Sequence, residues 1–185
     1  MGWESRDVIN LLLERGADIE AKLDDYSEPL HLAARNGKVA AVRTLLDHGA
    51  NIHARLRKNL WTPLHCASWK GNPDVVRLLL ERGADLEAEL DDHSTPLYIA
   101  VVNGRVAAVR SLLDYGANID APRKRLWTPL HRASWSGNFD VVRLLLERGA
   151  NAYARNENRQ TPLQLAEARG HREIIQLFSK NIRHE

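Results

Sequence analysis

The sequence predicts an all-α solenoid of stacked helix-turn-helix units with projecting finger loops, and three phased series of residues predict it. Prolines at 29, 63, 96, 129 and 162 open the related segments EPLHLAA, TPLHCAS, TPLYIAV, TPLHRAS and TPLQLAE, at steps of 34, 33, 33 and 33 residues. Gly16, Gly49, Gly83, Gly116 and Gly149 each precede an alanine and an Asp or Asn. Gly37, Gly71, Gly104, Gly137 and Gly170 each follow a proline by eight residues. Three series held in one phase mean a repeated unit.

In chain order, the first element is a lone helix over residues 5–15. Its run from Asp7 through Ile9, Leu11, Leu12 and Leu13 to Gly16 matches the second helix of a unit, with no Thr-Pro helix ahead of it. The apolar residues of this half unit have no upstream partner, so this end is expected to dock elsewhere or to continue a longer array. The single domain over residues 1–185 then divides into this half unit (1–22), four units (23–55, 56–89, 90–122, 123–155) and a capping unit (156–185).

Within each unit, Thr-Pro starts the first helix, because Thr caps an N-terminus well and Pro at the first helical position has a suitable φ and no amide hydrogen to leave unpaired. About two turns later the glycine of the third series offers the left-handed conformation that ends a helix. A second helix follows at once. In the second unit it reads Asp74-Val75-Val76-Arg77-Leu78-Leu79-Leu80-Glu81-Arg82, apolar over most of its circumference, which predicts a helix sandwiched by neighbours. The dozen polar residues before the next Thr-Pro are too short for a third helix and form a finger. The expected total is one leading helix and five pairs, eleven helices. The last helix, from Arg172 to about Lys180, turns Ile174, Ile175, Leu177 and Phe178 inward and leaves Arg172, Glu173, Gln176 and Lys180 to solvent, the pattern of a capping unit.

TPLH at 62–65 and 128–131, LLLERGADLEA at 78–88 and the 33-residue step closely resemble the ankyrin repeat family, over about residues 3–180. The resemblance implies a concave binding face, a structural hydrogen-bonding role for His31, His65 and His131, and a non-catalytic module that binds another protein. The finger tips depart from the family, which usually has Asp followed three residues later by Gly. Leu23 and Tyr26, Arg57 and Leu60, Leu90 and His93, Arg123 and Leu126, and Asn156 and Arg159 stand there instead. A longer period lies above the first: RKNLWTPLHCASWKGNPDVVRLLLERGA at 57 matches RKRLWTPLHRASWSGNFDVVRLLLERGA at 123, so a two-unit block was duplicated.

Composition excludes several functions. The 185 residues carry 26 Lys+Arg against 24 Asp+Glu, a formal charge of +2, which is too balanced for a protein whose main task is to coat phosphate backbone. The longest apolar run, Leu97 to Val102, falls far short of the roughly 20 residues of a membrane span. Charges at positions 4, 6 and 7 break any secretory h-region, and the one cysteine, Cys66, cannot form an internal bridge, so a cytoplasmic or nuclear setting is expected. The motif histidines recur one per unit, too far apart to share an ion. Asp24-Asp25 and Asp91-Asp92 lie on exposed fingers without the burial that splits carboxylate pKa values. Cys66 and His65 are helix neighbours that do not face each other. No catalytic, cofactor or metal site is expected.

Partner-binding residues are expected in two groups. Trp61 and Trp127 precede Thr-Pro, and Trp69 and Trp135 stand in the last turn of the first helix; by the resemblance both places face the concave side, where Trp is a favoured anchor. The other reading packs each pair on itself and on Leu60 or Leu126. Finger charges alternate: Asp24-Asp25, Arg57-Lys58, Asp91-Asp92, Arg123-Lys124-Arg125. They either neutralise one another between neighbouring fingers or form a ruler for a partner of alternating charge. Basic residues beside Trp suit single-stranded nucleic acid, but the acidic fingers between would repel it. The chain is therefore read as a monomer that binds another protein; the alternative is a structural or scaffolding segment of a larger array that associates end to end through its half unit.

Overall fold

The structure is a computed structural model that describes residues 5–22, 27–57 and 60–181. Helix α1 (Ser5–Glu14) stands alone, followed by the pairs α2 (Pro29–Arg35) with α3 (Val39–Asp47), α4 (Pro63–Lys70) with α5 (Pro73–Glu81), and α6 (Pro96–Val102) with α7 (Val106–Asp114). The pairs α8 (Pro129–Ser136) with α9 (Phe139–Glu147) and α10 (Pro162–Arg169) with α11 (Arg172–Asn181) complete the chain. The described residues thus form eleven α-helices, as the repeat predicts, with one short 3-10 turn over Lys124–Leu126 and an isolated bridge between Arg123 and Trp127.

The helices form two rows in chain order. The first helices pack α2 on α4 on α6 on α8 on α10, and the second helices pack α1 on α3 on α5 on α7 on α9 on α11. One continuous core lies between the rows: Leu30, Leu64, Leu97 and Leu130 from the first row meet Val42, Val76, Val109 and Val142 from the second, all at most 1% exposed. Each unit is therefore completed by its neighbours, and contacts run between adjacent units.

Each first helix starts as its sequence dictates. Thr62, Thr95, Thr128 and Thr161 accept, through their side chains, the backbone N–H three residues on. Glu28 holds the same place before α2 and makes no side-chain cap. Gly71 ends α4 at φ 84°, and a Cβ there would meet the Arg105 side chain at 2.8 Å, so both backbone conformation and space demand glycine.

That close approach belongs to a ladder between units. The residue just before α5, α7, α9 and α11 reaches back to the last carbonyls of the first helix in the preceding unit, groups a helix end leaves unpaired. Asn72 Nδ2 donates to the carbonyls of Ala34 and Arg35, Arg105 Nε to Trp69, Asn138 Nδ2 to Val101 and His171 Nε2 to Trp135, at 3.1 to 3.2 Å.

The second helices differ from the enclosed form their composition suggests. In α5, Val75, Val76, Leu78 and Leu79 are buried, but Asp74, Arg77 and Glu81 stand on an outward face, where Arg77 pairs with Asp74. The row has neighbours on two sides and the first helices behind, so one face meets solvent. In α11, Ile174 and Phe178 are buried, and Arg172, Glu173, Gln176 and Lys180 are exposed, matching the expected cap.

Candidate functional site

The site grows from the fingers and the first helices that support them. Four fingers are closed at the base by a backbone bond: Leu56 N–H donates to the Trp61 carbonyl, Leu90 to Ser94, Arg123 to Trp127 and Asn156 to Gln160. At the tips, Leu60, His93, Leu126 and Arg159 take positive φ of 56°, 61°, 56° and 58°. These are the places where the sequence departs from glycine. The left-handed turn is kept by residues with a Cβ, which costs backbone strain at each tip.

Motif histidines tie each finger to the next unit. His65 Nδ1 accepts from the Thr62 amide at 3.3 Å and hydroxyl at 2.9 Å, while Nε2 donates to the Ser94 carbonyl at 3.4 Å. His131 repeats this, taking Thr128 at Nδ1 and giving to Gln160 at 3.0 Å. His31 Nε2 gives to Ala54 and Trp61, both at 3.1 Å. At His65 and His131 the network needs a neutral ring with its proton on Nε2, since Nδ1 must accept. Burial agrees: it pushes His65 down to about 4, and His131 in the same direction.

On this base stand the tryptophans. Trp61 meets Trp69 edge to face, with centroids 6.0 Å apart and planes at 78°. Trp127 and Trp135 repeat the geometry at 6.3 Å and 75°. All four rings are half-buried, so each pair packs on itself and still presents surface. Lys70 lies over Trp69 at 4.7 Å, and Arg132 and Arg169 lie over Trp135 at 4.9 and 4.5 Å. Leu126 remains 53% exposed.

Of the finger charges, Asp92 and Arg123 are brought together. Arg123 Nε donates to Asp92 Oδ2 at 2.9 Å, a second guanidinium nitrogen reaches the same oxygen, and Lys124 N–H donates to the Asp92 carbonyl at 3.3 Å. Burial pushes the Asp92 carboxyl up, but bonds from Ser94 and Arg123 outweigh it and hold it below its ordinary value. Arg57, Asp91, Lys124 and Arg125 are exposed at their tips. Asp24, Asp25 and Lys58 lie outside the described residues.

A 33-residue step of paired helices, Thr-capped and Gly-terminated, joined by fingers hung on motif histidines, has a direct counterpart in family models. Models of ankyrin repeats in three copies match residues 2–89 and 87–156, and one of many copies matches residues 136–178. The chain belongs to the ankyrin repeat family. One relative, ankyrin repeat domain-containing protein 49 of Bos taurus, is 45% identical over 47 residues, which is 25% of this chain and 20% of that protein. The likeness thus spans about a fifth of that relative's length.

Ankyrin repeats are generally protein-protein interaction modules. No helix among the described residues is long and apolar enough to cross a membrane. Two residues of this ankyrin surface escape a reading by motif. Tyr98 stands where other units have His or Gln, and Arg132 where they have Leu, Cys or Ile. Both line one cleft with the fourth finger. Among the few mismatches between the duplicated blocks, Cys66 against Arg132 is the signal that could have found it.

Proposed function

We propose that this chain is a non-catalytic ankyrin module that holds one partner protein across its finger tips and first-helix row. Trp61, Trp69, Trp127 and Trp135 anchor the partner; Arg57, Lys58, Asp91, Asp92, Arg123, Lys124 and Arg125 set its register. The observation that carries this reading is the pair of edge-to-face tryptophan contacts repeated two units apart, half-buried in each case. Large aromatic area fixed in orientation yet open to a partner is what an interface anchor needs. On this reading the protein works in the cytoplasm or nucleus as a monomer. Affinity capture from the native source tests it: the parent chain should retain a protein that the Trp61→Ala/Trp127→Ala double variant loses, and equal retention by both counts against it.

A second reading has its own observation. Val8, Leu11 and Leu12 of α1 are 42%, 39% and 54% exposed, an apolar face suited to end-to-end contact in a scaffolding array. Sedimentation at rising concentration separates the two: a constant monomer favours partner binding, and growing chains that Leu12→Glu abolishes favour the array.

A further inference from the structure

Beside the fourth finger, over α6 and α8, lies a cleft of about 340 Å³, with Tyr98 and Trp127 as its aromatic walls and Arg123, Lys124, Arg125 and Arg132 around it. Four cations line it. Asp92 engages Arg123, but Lys124, Arg125 and Arg132 have no carboxylate within ion-pair distance among the described residues. Arg123 also lies over the Tyr98 ring at 5.6 Å.

Arg132 is the least expected member. Its position in the repeat holds Leu32, Cys66, Ile99 and Leu165 in the other units, so a cation replaces an apolar residue at this place alone. Its guanidinium rests 4.9 Å from the Trp135 ring, which orients it, and its Nε is shielded from solvent without an acceptor from the described protein. A guanidinium nitrogen left in that state is costly to the fold, and the guanidinium that carries it lines the cleft, where a carboxylate would pair with it. Arg125, likewise, replaces the Asn59 of the duplicated block.

We propose that this cleft receives an acidic segment of a protein partner, its carboxylates taken by Arg132 and Arg125 and its chain laid against Trp127 and Tyr98. This rests on the reading that the finger face holds a protein and supplies the chemistry of that partner. A peptide suits the cleft better than a nucleic acid because the cations are confined. Asp91 is exposed on the preceding finger and Glu157 on the following one, and a continuous phosphate backbone would have to cross both. A short acidic run need not.

The test uses the full chain and three fluorescent probes at low ionic strength: a peptide of four glutamates flanked by glycine and serine, its glutamine counterpart, and a single-stranded oligonucleotide. The variants are Arg132→Leu, which installs the side chain of the first and last units, Arg125→Asn, which leaves the core untouched, and Arg110→Gln, an equal loss of charge on the exposed face of α7. Circular dichroism confirms that each remains folded. The glutamate peptide should bind, the glutamine peptide should not, and Arg132→Leu and Arg125→Asn should each weaken binding by at least about five-fold while Arg110→Gln changes it less than about two-fold. Failure of the parent to bind the glutamate peptide, equal losses in all three variants, or tighter binding of the oligonucleotide would each overturn the proposal. Trp61 lies outside the cleft, so Trp61→Ala keeps the two ideas apart. If the glutamate peptide fails to bind while Trp61→Ala still weakens the captured partner, only the acidic-segment proposal falls; if the peptide binds as expected and Trp61→Ala has no effect, only the tryptophan anchors fall.

Discussion

The ring of Trp127 meets that of Trp135 edge to face, one at the base of the fourth finger and the other in the last turn of α8, so a single contact ties the finger to the helix beneath it. His171 of the following unit then holds the Trp135 carbonyl at 3.2 Å, and Arg105 holds the Trp69 carbonyl at 3.1 Å in the sibling pair. Trp135 and Trp69 are thus held by both the unit that carries them and the next one.

The finger tips should be improvable. Leu126 has φ 56° and a side chain 53% exposed, so it carries left-handed strain while burying little. Leu126→Gly should raise stability by about 0.5 to 1 kcal/mol in urea unfolding, whereas Leu126→Ala, which keeps the Cβ, should gain nothing.

Acid should weaken the array through its motif histidines. Burial on folding lowers the His65 pKa from its ordinary 6.5 to about 4, so protons bind the unfolded chain more readily. Its contribution is complete above about pH 6.5 and is lost as pH falls toward 4, with about 2 kcal/mol gone by about pH 5. His65→Gln should flatten that dependence when unfolding is measured at about pH 7.5 and 5. Glutamine already serves at the same place in the last unit, where Gln164 Oε1 accepts from Thr161 N–H at 2.9 Å.

Glu28 is the weak cap. Burial pushes its carboxyl up, with Glu20 adding to the effect, and it makes no side-chain cap where the four threonines do. A raised carboxyl favours the fold at low pH and loses that favour as pH rises through the folded value. Glu28→Thr should therefore stabilise by about 1 kcal/mol at neutral pH, with the gain shrinking in acid. Denaturant midpoints at both pH values check this.

The first helix should open first. Within the second-helix row α1 packs on α3, while α5 and α7 each lie between two neighbours. Hydrogen exchange should show the amides of Leu12 and Leu13 opening well before those of Leu79 and Leu112. Equal protection throughout would contradict this.

Much of the fold was legible because its signals are local. Thr-Pro starts, glycine stops and the 33-residue phase placed eleven helices, and the inward set of α11 followed from periodicity alone. What escaped needed knowledge of neighbouring units. The reach of Asn72, Arg105, Asn138 and His171 to carbonyls of the preceding unit has no local signature, since four places use three residue types. The outward charged face of α5 depends on how many neighbours surround it. At the site, the tryptophan pairs and the alternation behind Asp92 and Arg123 were visible in sequence, but the cleft of Tyr98 and Arg132 appears only when adjacent units are stacked.

On the proposed function, the tryptophan pairs hold the partner more than they hold the fold. For Trp69→Ala and Trp135→Ala, urea unfolding and affinity for the captured partner are measured on the same preparations. Each ring is half-buried with an edge-to-face mate, so each truncation should cost about 1 kcal/mol of stability, and at least about 2 kcal/mol of binding. Variants that unfold the array while whatever remains folded binds with unchanged affinity would contradict this, because the rings would then be core and the partner would bind elsewhere.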